Sequence, residues 1–379
     1  MSLNLHFPGN ERIRLQLERA LASGRLAPSY LFEGAPGAGQ EQAAVELAAA
    51  FIVGDTSLDH PDARRVRRYS HPDLHYLLPV LKVQSKAWDQ HSPEELLALF
   101  REQQGHKAAD PYYLPQFDKQ PRYPVKGMRA ILEVLAAKPF EGRGQALILR
   151  EAEQMEDLAQ DTLLKTLEEV PRNTLIILIS YQPEALRPTI LSRCQRLPFD
   201  PLTPAVLEAV LSDRGVEPQR AATFAVLAEG DIEQAIRLAS AEDGEGGGNA
   251  LLARREEWLD LLDRCEFGSE LAMMDALQGF LRQGAKDNPT QTRADFLALA
   301  ISWYREVLRH VMEPGRPRVH VDQIERLRRY RDLSAEGLVE RIRSCEKARL
   351  QILGNVHAEL TLLSLFFSFR TGRSLRRSA

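Results

Sequence analysis

A glycine-rich loop lies between a strand pattern and a helix pattern, and it constrains the fold more than any other feature of the chain. The apolar residues 29–33 precede the sequence GAPGAGQE, and the alanine-rich residues 40–51 have the pattern of a helix. Gly34, Gly37 and Gly39 have the spacing of a phosphate-binding loop, which joins a strand to a helix and ends in Gly-Lys followed by Ser or Thr. The loop therefore predicts an α/β domain and makes nucleotide binding the first function to test.

The residues that would carry the nucleotide chemistry are absent. Gln40 stands where a lysine would neutralise the outer phosphates, and Glu41 stands where a hydroxyl would bind magnesium. A second strand pattern ends in Arg150 followed by Glu151, whereas an ATPase of this architecture has Asp-Glu there. Because an arginine cannot bind a metal cation, the pattern favours a structural turn over productive ATP binding. We expect no cofactor, and we expect Glu151 to be a solvated or structural carboxylate and not a catalytic base.

Strand and helix patterns alternate over residues 1–200, which is typical of a parallel sheet flanked by helices. Residues 157–169 have a helical pattern, and 175–180 have a strand pattern. Between about 54 and 123 the chain becomes rich in Pro, His, Asp and Gln, with one helix expected at 93–104. We interpret this stretch as an insertion in the sheet domain.

Helical patterns alone follow the sheet domain. Residues 201–241 contain three short helical patterns, which predicts a small helical lid domain. Residues 242–250 contain four glycines and are typical of a flexible linker. Residues 250–379 are expected to form an all-helical domain, with a break near 313–318.

Composition and cysteine usage exclude several classes of protein. The 49 basic and 53 acidic residues give a net charge of −4, so no overall basic excess indicates nucleic-acid binding. The longest apolar stretch, 360–367, is too short to span a membrane. The N-terminus has no secretory signal pattern, so we expect a cytoplasmic protein. Cys194, Cys265 and Cys345 lie far apart and are interpreted as isolated thiols.

Two segments resemble bacterial clamp-loader subunits of the AAA+ class. They are KPFEGRGQALILREAEQM and the stretch from DTLLKTLEEVPRN to PTILSRCQRLPF. The resemblance covers residues 26–51 and 71–199, and residues 355–363 are similar to the collar-domain helix of this family. It implies an AAA+ sheet domain, a helical lid and an all-α collar domain.

The resemblance also implies a function. Members of the family form a five-subunit arc that opens a ring-shaped sliding clamp and places it on primed DNA. The expected partners are the gamma/tau ATPase subunits and the clamp-opening delta subunit, with no membrane involved. Each ATP site is completed by the arginine of an SRC motif on the neighbouring subunit, and here that motif is Ser192, Arg193 and Cys194.

Some members of the family have a disabled phosphate loop and act as a rigid stator. The changes at Gln40, Glu41 and Arg150 resemble that condition, and Glu233 stands where ATPase subunits have a lid arginine. The alternative is a gamma/tau-like subunit that hydrolyses ATP with a divergent loop, and a third hypothesis is an AAA+ adaptor unrelated to replication. Nucleotide binding by the isolated chain separates the first two hypotheses.

Several single residues have two interpretations. Arg193 is either a surface arginine paired with an acid or a finger acting in trans, and its SRC context favours the finger. Ser192 is expected to bond locally and Cys194 to be buried. Lys107, and the basic stretch 313–331 with Arg326 and Arg329, are either solvated charges or phosphate contacts, and solvated charges are favoured for that stretch. The apolar residues 360–369 belong either to a subunit interface or to the domain's own core.

Many family members carry a four-cysteine zinc module, but residues 52–70 contain no cysteine. Asp55, Asp59, His60 and His71 lack the spacing of zinc ligands. We therefore expect no metal site.

Overall fold

The structure, a computed structural model, describes residues 4–80, 91–113, 115, 121–240, 248–283, 289–313, 323–353 and 357–374. It divides into two compact units, Met1–Ile236 and Arg237–Ala379. Among the described residues, no helix has both the length and the apolar character needed to cross a bilayer.

The first unit is built on a five-stranded sheet with the order β2-β3-β4-β1-β5, and all its pairings are parallel. The central strand β4 is buried along its whole length, which explains its uninterrupted apolar sequence. Alternate β4 residues serve two cores: Ile177 and Ile179 face one, and Ile176 and Leu178 face the other. The strands are β1 Ser29–Gly34, β2 Leu74–Leu77, β3 Gln145–Leu149, β4 Thr174–Ser180 and β5 Gln195–Phe199.

Helices cover both faces of this sheet. α4 begins with a capping box in which the Ser92 hydroxyl accepts from the Glu95 amide and the Glu95 carboxylate accepts from the Ser92 amide. The helices are α1 Glu11–Ala22, α2 Gln40–Val53, α3 Pro61–Arg67, α4 Pro93–Ala109, α5 Val125–Leu135, α6 Asp157–Glu168 and α7 Pro188–Leu191.

Three short helices follow the sheet, as the sequence predicts for the lid. They are α8 Pro204–Asp213, α9 Pro218–Leu227 and α10 Ile232–Ser240. α8 and α9 begin with proline directly after the capping residues Thr203 and Glu217, where a missing amide donor costs nothing.

Every element described beyond residue 240 is a helix, so the predicted all-α region is confirmed. Its core contains Trp303, Tyr304, Tyr330 and Phe366. Much of the 360–369 stretch, including Phe366, packs into this core. The helices are α11 Gly248–Phe267, α12 Glu270–Gln283, α13 Pro289–Met312, α14 Ile324–Arg328, α15 Ala335–Leu353 and α16 Ala358–Ser374.

The sequence patterns located most elements but missed two strands. β2 lies inside the predicted insertion at 54–123 and pairs with β3, so this part of the segment belongs to the sheet. β5 was also missed. The predicted linker begins outside the described residues, and α11 already starts at Gly248. Most of the predicted break near 313–318 also lies outside them.

Candidate functional site

The loop between β1 and α2 requires glycine at three positions. Gly34, Gly37 and Gly39 all have positive φ angles, of 147°, 68° and 92°. A Cβ atom on Gly34 would lie 2.4 Å from the Phe199 carbonyl oxygen, and one on Gly37 would lie 1.9 Å from Asp231 Oδ1. Only glycine allows these close approaches.

Gln40 bonds to the loop itself. Its Nε2 donates to the Ala35 carbonyl at 2.8 Å, and the residue is 1% exposed. The side chain at the lysine position therefore satisfies a loop carbonyl and adds no positive charge to the site.

Glu41 places a carboxylate in the first turn of α2, the end of a helix that attracts anions. The carboxylate accepts a hydrogen bond from the Tyr69 hydroxyl at 2.5 Å and pairs with Lys107 Nζ at 2.6 Å and Arg150 Nη1 at 2.5 Å. Burial raises the pKa of Glu41, but the charges of Lys107 and Arg150 outweigh it, so this pKa lies below its ordinary value. Glu41 is therefore a paired anion.

Arg150 follows β3 and bridges Glu41 to the lid. Its Nη1 and Nη2 atoms donate to the two Glu233 oxygens at 2.8 and 2.7 Å, a bidentate pairing. Burial opposes the charge, but Glu233, Tyr181 and Glu41 hold the pKa of Arg150 well above its ordinary value. Arg150 lies at the position of the metal-binding aspartate and neutralises two carboxylates there.

Lys107 contradicts both of its sequence interpretations. It is neither an exposed charge nor a free phosphate contact, because the residue is 0% exposed. Its Nζ pairs with Glu41, donates to the Pro111 carbonyl at 2.9 Å and lies 5.7 Å from the ring centres of both Tyr69 and Tyr76. Helix α4 carries Lys107 to this place, and the local sequence holds no signal of that. We call Glu41, Lys107, Arg150 and Glu233 the internal charge cluster.

Glu151 lies beside this cluster. Its backbone is left-handed, with φ of 52°, and its Oε1 is 3.6 Å from Arg150 Nε. Burial raises the pKa of Glu151. This carboxylate thus lies beside an arginine of its own chain.

The lid contacts the loop directly through the start of α10. The Ile232 amide donates to the Gly37 carbonyl at 3.0 Å. Asp231 Oδ1 accepts from the amides of Glu233 and Gln234 at 2.8 and 2.9 Å and so caps α10. The same oxygen is the atom that a Cβ on Gly37 would strike.

The SRC triplet follows α7, with Ser192 and Arg193 at the surface of the sheet domain and Cys194 beneath it. The Arg193 side chain is 34% exposed; its Nη2 donates to Glu168 Oε1 at 2.7 Å and its Nη1 to the Thr189 carbonyl at 3.1 Å. Ser192 also donates to Thr189, so its predicted local role is confirmed. Cys194 is buried, as predicted, and burial raises its pKa to about 11.

Three of the four residues weighed as metal ligands make local hydrogen bonds. Asp55 Oδ1 accepts from the Ser57 amide, His60 Nδ1 from the Asp62 amide, and His71 Nδ1 from the Asp73 amide. Within the described ranges, no group of three or more His, Cys, Asp or Glu side chains could hold a metal ion.

The basic C-terminal stretch separates into two kinds of arginine. The Arg329 side chain is 67% exposed, and its Nη1 donates to Asp263 Oδ2 at 3.2 Å, so it is a largely solvated charge that also has an ion-pair partner. Arg326 is only 12% exposed and pairs with Glu256 and Asp260 at 2.8 and 2.6 Å, so it is a paired and largely covered charge.

Comparisons with known proteins agree on the class of this chain. The family described as DNA polymerase III, delta subunit, matches residues 9–203. The delta-prime subunit of DNA polymerase III from Bacillus subtilis strain 168 is 28% identical over 231 residues, which are 60% of this chain and 58% of that protein. The tau subunit from Escherichia coli K12 is 28% identical over 156 residues, 40% of this chain and 24% of that protein. The chain thus spans less than two thirds of the length of these relatives.

A solved structure, of a DNA polymerase III gamma subunit-related protein from Thermotoga maritima MSB8, aligns with 94% of this chain and 99% of its own, at 16% identity and a TM-score of 0.40. The resemblance seen in the LLKTLEE and SRCQ segments is confirmed by the family match, which includes both. The chain belongs to the DNA polymerase III delta subunit family, and it is related to delta-prime subunits.

Proposed function

We propose that this chain is a non-catalytic stator subunit of the bacterial replicative clamp loader. In this role it helps to load the sliding clamp onto primed DNA, together with gamma/tau ATPase subunits and the clamp-opening delta subunit. Membership of the family and the similarity to delta-prime and tau subunits support a place in the clamp loader, and the stator role is argued from the phosphate loop.

The observation that carries the proposal is the internal charge cluster. A productive phosphate site needs a lysine, a magnesium ligand and unpaired amide donors near the start of its helix. Here the corresponding positions hold Gln40, bonded to the loop, and Glu41, paired with Lys107 and Arg150. A polyphosphate would meet a carboxylate and would have to displace buried ion pairs. The proposed subunit therefore does not hydrolyse ATP.

Arg193 is the residue that the proposal assigns to a neighbour's nucleotide. Its guanidinium is partly exposed, and its partner Glu168 is 52% exposed. An exposed pair of this kind contributes only about 0.2–1 kcal/mol, so phosphate oxygens can replace the carboxylate at small cost. The planar guanidinium can bond two phosphate oxygens at once.

The test uses the reconstituted clamp loader with Arg193→Ala in this subunit. The variant should enter the complex normally, while ATP hydrolysis falls in part, because only one of several sites loses its arginine, and clamp loading falls further. Arginine fingers contribute on the order of 10³–10⁵ in rate at the site they complete. Arg193→Lys should restore little, because an ammonium group lacks the planar geometry.

Arg187→Ala is the matched control. Arg187 precedes α7, as Arg193 follows it, and it pairs with Asp161 of α6 at 2.9 Å with a similar side-chain exposure of 39%. Wild-type loading by Arg193→Ala, or an equal loss in Arg187→Ala, would contradict a specific trans role for Arg193.

A measurement of ATP hydrolysis by the isolated chain distinguishes the stator proposal from the alternative of an ATP-hydrolysing subunit. Magnesium-dependent turnover that Glu151→Gln abolishes would support a gamma/tau-like subunit and would overturn the stator proposal. The position of Arg150 beside Glu151, with Nε 3.6 Å from the carboxylate, argues against it.

A further inference from the structure

We propose that the internal charge cluster fastens the lid to the sheet domain, so that the lid is held in place without nucleotide. The inference rests on the proposed function, because both assume that no nucleotide acts at this loop. Its test does not depend on Arg193.

The cluster joins elements that are distant in sequence. Glu41 is on α2, Arg150 follows β3, Lys107 is on α4 and Glu233 is on α10. The Arg150 guanidinium contacts Glu41 and Glu233 simultaneously, so one side chain links the start of α2 to the lid.

The charges of the cluster balance. Two carboxylates face two cations, and all four residues are at most 5% exposed. The Tyr69 hydroxyl donates a further hydrogen bond to Glu41, and the Pro111 carbonyl accepts one from Lys107. A balanced and hydrogen-bonded set of charges can remain buried, whereas any member left alone could not. Movement of the lid would take Glu233 away from Arg150 and leave that arginine with Glu41 and the weaker contact of Glu151.

The side chains of the cluster also supply charges of the same signs as the phosphates and the magnesium ion of a bound MgATP. An anion at the start of α2 is supplied by Glu41, and cations beside it are supplied by Lys107 and Arg150. The lid meets this region through Glu233, on the same helix whose first amide bonds to the Gly37 carbonyl. The Arg150–Glu233 ion pair and the backbone hydrogen bond from Ile232 to Gly37 both hold the start of α10 against the sheet domain.

Hydrogen–deuterium exchange of the full chain tests the inference. In the wild type, the amides of residues 231–240 should be protected to the same degree with and without MgATP. Glu233→Gln keeps the size of the side chain and removes its charge, and it should speed exchange of this segment by about tenfold or more, since hydrogen bonds between charged groups are stronger than neutral ones. Residues 174–180 in β4 should not change.

Glu208→Gln is the control, because Glu208 is an exposed glutamate on lid helix α8. It should exchange like the wild type. Wild-type exchange in a folded Glu233→Gln variant would overturn the inference. If that variant fails to fold, the wild-type arm still decides, since increased protection of 231–240 by MgATP would show a lid that responds to nucleotide. If MgATP leaves the exchange of residues 231–240 unchanged in the wild type, but Arg193→Ala does not impair clamp loading, the result would count against the proposed function and not against this inference.

Discussion

Two arginines of the sheet domain pair with carboxylates at the same distance but in opposite surroundings. Arg150 Nη2 lies 2.7 Å from Glu233, and Arg193 Nη2 lies 2.7 Å from Glu168. The Arg150 side chain is 3% exposed and that of Arg193 is 34% exposed. Distance therefore does not distinguish the two pairs, whereas burial does.

The difference in burial gives the two arginines different roles. Water and salt screen an exposed pair, so its carboxylate is easily exchanged for another anion. A buried pair has lost its hydration, and removing one partner leaves a charge that nothing compensates. Arg150 is thus committed to its own chain, whereas Arg193 is available to a neighbour. The same residue type stabilises the fold in one place and, as we propose, serves another subunit in the other.

The largest change in the free energy of unfolding that would distinguish the buried pair from an exposed pair is expected from Arg150→Met. This variant leaves Glu41 paired with Lys107 and takes from the buried Glu233 both hydrogen bonds that Arg150 donates, and it should lower the free energy of unfolding by about 3–5 kcal/mol. Urea unfolding followed by far-ultraviolet circular dichroism measures the change. Arg196→Met is the control, because Arg196 pairs with Glu33 at 2.8 Å but is 48% exposed, and it should cost about 1 kcal/mol or less. Equal losses in both variants would contradict the assigned difference.

The local sequence was sufficient to predict the glycine loop and to show that the lysine and the hydroxyl of a working phosphate loop are absent. Glycine spacing, apolar runs and helical periodicity are properties of neighbouring residues, so the strands at 29–33 and 175–180 could be located within a residue or so. The missed strands have weaker patterns. β2 has only four residues and includes His75. β5 is an edge strand whose Pro198 and exposed residues break the apolar run.

The internal charge cluster could not be predicted because its contacts are not local. Arg150 and Glu233 are 83 residues apart, and Arg150 and Glu41 are 109 residues apart. In the sequence, each change at the loop is only a missing catalytic residue. The fold shows that these changes compensate one another, since the glutamates at two positions pair with the arginine at a third. Lys107 adds a fourth member from a segment that the sequence marks only as an insertion.

An effect of intermediate size is expected for the pH dependence of the free energy of unfolding, because the buried cluster contains the ionised carboxylate of Glu41. The pKa of Glu41 is lowered in the folded chain, chiefly by Lys107 and Arg150 acting against burial. Its contribution is therefore fully present above the ordinary glutamate pKa and is lost as the pH falls through that value and below it. At neutral pH, Glu41→Gln should cost about 1–3 kcal/mol, because it removes a charged partner of both cations.

Urea unfolding between pH 7 and pH 3 provides the measurement, because the contribution is lost only as the pH falls below the ordinary glutamate pKa. The difference between the wild type and Glu41→Gln should shrink as the pH falls, whereas the difference between the wild type and Glu168→Gln should stay small throughout. The groups that face Glu41 are Lys107, Arg150 and Tyr69, and the pKa of Arg150 lies well above its ordinary value. A constant difference across the range would show that the pKa of Glu41 is the same in the folded and unfolded chains, which would contradict the pairing of Glu41 with its two cations.

The smallest effect is expected at the exposed pair. Arg193→Ala and Glu168→Ala should each change the free energy of unfolding by no more than about 1 kcal/mol, and a double-mutant cycle should give a coupling of about 0.2–1 kcal/mol. Because both side chains are partly exposed, this coupling should fall further at high salt, where the Debye length is only about 3 Å. The matched cycle on Arg150 and Glu233 should show a larger coupling that salt changes little. A coupling at Arg193 as large as that at Arg150 would mean that the arginine is held by its own domain. It could then reach a neighbour's nucleotide only at a cost comparable to breaking a buried pair, and its trans role would have to be given up.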